Sequence, residues 1–160
     1  MLKITGLCLI IVSSFVAAIY YSYLQKKKLT ITQAFLDFII YIKHRIIFFR
    51  EEIDDIYSSY ENVDLEKSGF MDLLAESSFE NAIVNERIKH MLSSKSINAL
   101  MDFGKKLGKS NLEGQRSNCD VCTEALESEV QRMVDEAPQK GKVYSSLCII
   151  AGLVAVLLLL

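Results

Sequence analysis

The stretch TITQAFLDFIIYIKHRIIFFREEIDDIYSSY, residues 30–60, decides how this chain folds. Its apolar side chains return at Ile31, Phe35, Phe38, Ile42, Ile46, Phe49, Ile53, Ile56 and Tyr60, always three or four positions apart. That spacing lays one continuous apolar stripe along a helix from about residue 30 to 61, with a bend at Phe48–Glu51 left open. Thr30-x-x-Gln33 reads as its capping box, and Ser77-x-x-Glu80 and Ser110-x-x-Glu113 mark two further helix starts. No stretch alternates apolar and polar residues in steps of two, as a half-buried strand does. The expected fold is all-α.

Downstream of this helix, a polar loop is expected over Glu61–Ser68, short helices over about 69–76 and 79–92, and another over about 95–107. Gly108 reads as a left-handed C-cap residue, followed by a tight turn and a helix over about 111–137. The single proline, Pro138, is expected to kink or break the chain. Short connections make successive helices antiparallel neighbours, so the expected architecture is an antiparallel helical bundle.

On either side of this middle segment lies a long apolar run, Ile4–Leu24 and Val143–Leu160. Each matches the roughly 20 residues, or a few fewer, that cross about 30 Å of hydrocarbon as a helix. Lys26, Lys27, Lys28, Lys43, Arg132, Lys140 and Lys142 flank the runs on the side of the middle segment, against Lys3 alone on the other side. The positive-inside bias then puts the middle in the cytosol. Tyr20, Tyr21 and Tyr23, just before the lysines, suit the aromatic belt of a membrane interface. A cleaved signal peptide is the competing reading of the first run, with Val16 and Ala18 as the small residues of a cleavage site. The length of the run and its tyrosines favour an uncleaved anchor. The expected organisation is an N-terminal transmembrane helix with its basic flank over 1–28, a cytosolic helical bundle over 29–139, and a C-terminal transmembrane helix over 140–160.

All 20 acidic residues lie within 29–139, while six of the 18 basic ones (Lys3, Lys26, Lys27, Lys28, Lys140 and Lys142) lie outside it, which leaves that segment a formal charge of −8. Nucleic-acid binding, driven by neutralising phosphates, is excluded on that balance. A partner with a basic surface fits it, as does a solvated exterior.

Little in the chain carries reaction chemistry. Cys119-x-x-Cys122 falls on the apolar stripe Leu112, Cys119, Cys122, Leu126, Val130, Met133, Ala137, where cysteine packs as a small hydrophobe. Cys8 and Cys148 lie in the apolar runs, and His44 and His90 stand alone, so no four-ligand zinc set assembles. Glu51, Glu52, Asp54 and Asp55 point in different directions around a helix and read as a solvated face. No phosphate-binding loop, nucleophile elbow, zinc-protease or dinucleotide motif is present. The expectation is a non-enzyme with no catalytic residue, cofactor or metal. Two rival readings stand beside it: a membrane-anchored thiol-redox protein using Cys119 and Cys122, and a small two-span pore-former. The stripe from Ile31 to Tyr60 would serve a homo-oligomer as well as a core. Gly152, with Ala155, permits a close helix contact in the membrane.

The candidate interaction residues lie in Phe103-Gly104-Lys105-Lys106-Leu107-Gly108 and at Gln115. Gly104 costs about 1 kcal/mol against alanine in a helix interior, so a compensating close approach between helices is expected, with Phe103 and Leu107 packed alongside. Gln115 shares its stripe with Leu112 and Cys119, and if buried must find a hydrogen bond, with backbone left free at the Gly108 turn as the candidate partner. A helical-hairpin corner is the plainer reading of the same residues.

The run DFGKKLGKSNLEGQ, Asp102–Gln115, resembles the stage III sporulation protein AB family, as do the opening MLKITGLCLIIVSS and the leucine-rich terminal run with Gly152. The resemblance covers the whole chain and is most specific from Phe103 to Gln115. It implies a component of the mother-cell membrane around an engulfed forespore, similar to the helical platform protein of type II secretion. It also implies membership of a channel linking the two cells, with a cytosolic secretion-type ATPase and membrane proteins as partners. Departures from the family pattern fall at Phe48–Glu51, where a Thr-Pro-Leu-like turn is usual and the first helix is expected to be less bent. They fall also at Phe79 in place of a tryptophan, at Leu147-Cys148 in place of Leu-Gly, and at Pro138 and Gly141.

Overall fold

The computed structural model describes the backbone of residues 2–159, with side chains from residue 19 to 136 and at isolated positions outside that range. The described residues are helical or irregular, with no strand. The elements are α1 (Leu2–His44), a π-turn (Arg45–Phe49), α2 (Ile53–Ser58), α3 (Val63–Ser68), α4 (Phe70–Glu76), α5 (Phe79–Val84), α6 (Glu86–Lys89), α7 (Ser94–Lys106) and α8 (Leu112–Leu159). They divide into two compact units, one of residues 1–27 and 133–160, the other of Lys28–Arg132.

The second unit holds the core. Phe35, Phe38, Ile39 and Ile42 of α1 are fully buried, and Ile56, Leu65, Phe70, Ile83, Ile88, Leu100, Phe103 and Leu126 close over them. The rings interlock edge to face: Phe35 and Phe38 on Phe70 (4.7 and 6.0 Å between centroids), Phe70 on Phe79 (5.8 Å), Phe79 on Phe103 (5.4 Å). Such contacts each contribute about 0.5–1.5 kcal/mol beyond simple burial.

The stripe of residues 30–60 does not stay on one helix. From Ile31 to Ile46 its members are buried, but Phe49 is 58% exposed. The five-residue π-turn advances each residue through a smaller angle than an α-turn, so Phe49 rotates off the buried face. Arg50 then ends the helix in the left-handed region (φ 52°). The Arg45 guanidinium bridges the break to Glu51 (2.8 Å), and α2 carries Ile56 back into the core as a separate helix. The family departure at Phe48–Glu51 therefore goes with a broken first helix, against the expectation of a less bent one.

Other boundaries also move. Thr30 and Gln33 lie inside α1, so the capping box expected there caps nothing; Thr32 Oγ1 instead donates to the Lys28 carbonyl (2.8 Å). The expected loop over Glu61–Ser68 is largely helix α3, because Asn62 Oδ1 accepts from the backbone N–H groups of Asp64 and Leu65 (3.0 and 3.1 Å). The helix expected over 79–92 is split at Asn85, whose extended backbone ends α5 while its side chain caps α6. Ser78, not Ser77, caps α5; Ser77 Oγ donates to the Leu73 carbonyl. Asn111, not Ser110, caps α8. Helix α8 runs on through Pro138. Proline removes one i→i−4 bond, a loss that a long helix absorbs where its other turns are intact.

Among the described residues no helix is long and apolar enough to cross a membrane. The runs Ile4–Leu24 and Val143–Leu160, on which two spans were expected, have most of their side chains outside the described residues.

Candidate functional site

Helix α7 and the start of α8 form a helical corner. Ser93 Oγ caps α7 by accepting from Ser96 N–H (3.1 Å). The helix closes where Leu107 N–H reaches the Phe103 and Gly104 carbonyls (3.0 and 3.1 Å). Gly108, at φ +73°, turns the chain through a conformation that L side chains rarely adopt. Asn111 Oδ1 then accepts from Gly114 N–H (2.9 Å) to start α8.

Three polar side chains of α8 stitch it to carbonyls of α7. Gln115 Nε2 donates to Lys106 O (3.2 Å), Asn118 Nδ2 to Phe103 O (3.0 Å), and the Cys122 thiol to Ala99 O (3.7 Å). As the donor advances along α8 its acceptor retreats along α7, which is antiparallel register written in side-chain bonds. Gln115 also donates to Ser110 Oγ (2.9 Å). The Lys43–Asp120 ion pair ties α8 to α1.

Phe103 (1% exposed) and Gly104 are buried, Leu107 is half-buried, and Gly108 is exposed. Gly104 sits where α5 crosses α7: a Cβ there would stand 2.8 Å from Phe79 Cδ1 and 3.2 Å from Glu80 Cγ. Gln115 is 5% exposed. The structure thus brings Phe103, Gly104, Leu107, Gly108 and Gln115 into one corner; the surroundings of Gly152 lie outside the described residues.

The expected stripe on α8 holds for Cys119, Cys122 and Leu126, whereas Leu112 is 42% exposed. The two cysteines are free thiols. Burial, and the carboxylate of Asp120, push Cys119 up to about 11; burial and its neighbour Cys119 push Cys122 up to about 12. A redox pair needs the opposite shift, towards thiolate at neutral pH. In the acidic quartet, Glu51 is taken by Arg45, while Glu52, Asp54 and Asp55 are exposed; among the described residues no cluster of metal-ligating side chains forms.

Sequence reasoning missed two features. Glu129 is buried and held by a two-pronged contact from Arg132, Nε to Oε2 at 2.9 Å and a terminal nitrogen to Oε1 at 2.6 Å. The i, i+3 spacing of the pair was the available signal. The second is the exposure of the aromatic pair at the bend that the sequence left open, where Phe48 (70% exposed) packs against the His44 ring and Phe49 lies under Arg45.

The described residues thus form a packed helical unit stapled at one corner, with buried thiols and an exposed aromatic bend. The family model for stage III sporulation protein AB (spore_III_AB) matches residues 3–160, and the chain belongs to that family. It is accordingly a sporulation protein with an all-helical fold. No curated protein and no solved structure matches it.

Proposed function

We propose that the chain is a non-enzymatic platform component of the channel between mother cell and forespore. In this reading the apolar runs anchor it in the mother-cell membrane, and residues 29–139 face the cytosol. There the helical unit docks a secretion-type ATPase and couples its movement to membrane partners, so the mechanism is positional. The observation that carries the reading is the exposed Phe48–Phe49 pair beside the acidic start of α2. Aromatic residues held in water on an otherwise packed unit are what partner surfaces are made of.

The test is topology together with co-purification. Single cysteines at Ser59 and Ser128, in a cysteine-free full chain, are expected to label only after the cytosolic side is opened. The ATPase is expected to co-elute from sporulating cells. Labelling of both positions from outside would put the unit on the wrong side of the membrane and overturn the reading.

A further inference from the structure

The corner between α7 and α8 carries an open depression of about 460 Å³. Lys105, Lys106 and Lys109 line it from the end of α7 and the turn, and Ser110, Gly114 and Ser117 from the turn and the start of α8. No carboxylate lies on that lining, although residues 29–139 carry a formal charge of −8. Lys105 is shared with Asp102 in an exposed contact (3.5 Å), whereas Lys106 and Lys109 make no ion pair among the described residues.

The hydroxyl side of the depression is set by a buried neighbour. Gln115, 5% exposed, donates from Nε2 to Ser110 Oγ (2.9 Å), so that oxygen accepts from within the corner and its own O–H is left to donate on the exposed side. Gly114 keeps the space beside it open: a Cβ there would stand 2.8 Å from Ser110 Cβ and Oγ and 3.1 Å from Asn111 Oδ1. The backbone N–H of Gly114 is already taken by Asn111 (2.9 Å). The donors on offer are therefore side chains, the three lysine ammonium groups and the hydroxyls of Ser110 and Ser117.

We infer that this depression binds the diphosphate group of a small soluble molecule. Ammonium groups donate and never accept, so the lining calls for a compact set of anionic acceptor oxygens. Three lysines side by side match the spread charge of a diphosphate better than the single charge of a carboxylate. The surrounding surface selects for size. Charges are screened beyond about 8 Å at physiological ionic strength, so a small ligand meets the lysines alone. A nucleic acid or an anionic bilayer would meet the acidic surface around them as well. Phe48 and Phe49 are not on the lining, so the site stands or falls apart from the docking role proposed above.

The test titrates inorganic pyrophosphate into the full chain, held in phosphatidylcholine nanodiscs at about 0.15 M salt, and follows the heat by calorimetry. Saturable binding of one pyrophosphate per chain is expected. Lys106→Gln with Lys109→Gln is expected to weaken it at least about tenfold, the scale of losing charge-assisted hydrogen bonds. Lys67→Gln with Lys95→Gln removes the same charge from exposed lysines elsewhere and should leave the affinity unchanged. All four lysines are exposed, so neither pair should move the unfolding midpoint. Gly114→Ala leaves every charge in place and should still weaken binding, because the added carbon crowds Ser110. No saturable heat, equal weakening by the two lysine pairs, equal affinity for sulfate, or indifference to Gly114→Ala would each overturn the inference. Pyrophosphate displaced when phosphatidylglycerol is mixed into the nanodisc would give the site to a lipid headgroup and overturn the soluble ligand; an unchanged titration there supports it.

Discussion

Gly104 stands against the edge of Phe79 with no room for a single carbon more: a Cβ would lie 2.8 Å from Cδ1 of that ring. Phe79 cannot swing aside, because Phe70 and Phe103 hold it edge to face on either side. Alanine would gain about 1 kcal/mol of helix propensity at this position, while overpacking a filled contact costs typically about 1–3 kcal/mol. Gly104→Ala is therefore expected to destabilise the chain by about 1 kcal/mol net, read as a lower denaturation midpoint of the full chain in detergent by circular dichroism. Adding Phe79→Leu should recover part of that loss through coupling between touching residues. An unchanged midpoint in the single variant would mean that α5 and α7 do not approach this closely.

Phe103 and Leu107 lie on the same turn-to-turn face but differ in burial. Phe103→Ala is expected to cost about 3–5 kcal/mol, since it empties the end of the aromatic chain. Leu107→Ala should cost under about 2 kcal/mol, because a half-buried leucine gives up less area. Denaturant unfolding of the two variants side by side checks the order, and equal losses would contradict the difference in packing.

Much of this was legible in the sequence, and the misses have physical causes. The periodicity from Ile31 to Ile46 names residues that are buried, because an unbroken α-helix obeys the 3.6-residue repeat. Phe49 keeps the spacing and loses the burial, because a π-turn changes the angle per residue without changing the letters. The caps at Ser78 and Asn111 miss by one position for another reason. Ser77–Ser78 and Ser110–Asn111 each offer two neighbouring side chains able to cap, and the sequence does not rank them. The Gly104–Phe79 contact joins residues 25 positions apart on two helices, and only the glycine's cost in mid-helix hinted at it.

The thiols of Cys119 and Cys122 should be silent. With values pushed up to about 11 and about 12, the thiolate fraction at pH 8 is very small, and both sulfurs are out of solvent. Iodoacetamide is expected to label neither in the native chain carrying Cys8→Ser and Cys148→Ser, and to label both after denaturation. Sporulation should survive replacement of both cysteines by alanine. Rapid native labelling, or loss of function in a folded double variant, would return the thiol-redox reading.

The Glu129–Arg132 pair makes a prediction about acid. The guanidinium's hydrogen bonds hold the Glu129 carboxyl below its ordinary value of 4.5, against the opposing effect of burial, with Ser93 and Lys95 adding to the lowering. A depressed folded value means stability that is fully present above the unfolded value and is lost as pH falls through the folded one. Glu129→Gln should thus melt below the parent at pH 7, since Arg132 loses its charged partner. The gap should stay constant well above the ordinary value of 4.5 and narrow as the pH falls from there through the lowered folded one, where the parent's carboxylate is itself becoming protonated. Other carboxylates also titrate in that range, but they do so in both chains, so the difference between the two melting temperatures isolates Glu129. A gap that holds its full size at low pH would show that the variant fails through shape alone, and that the ion pair contributes nothing to the fold.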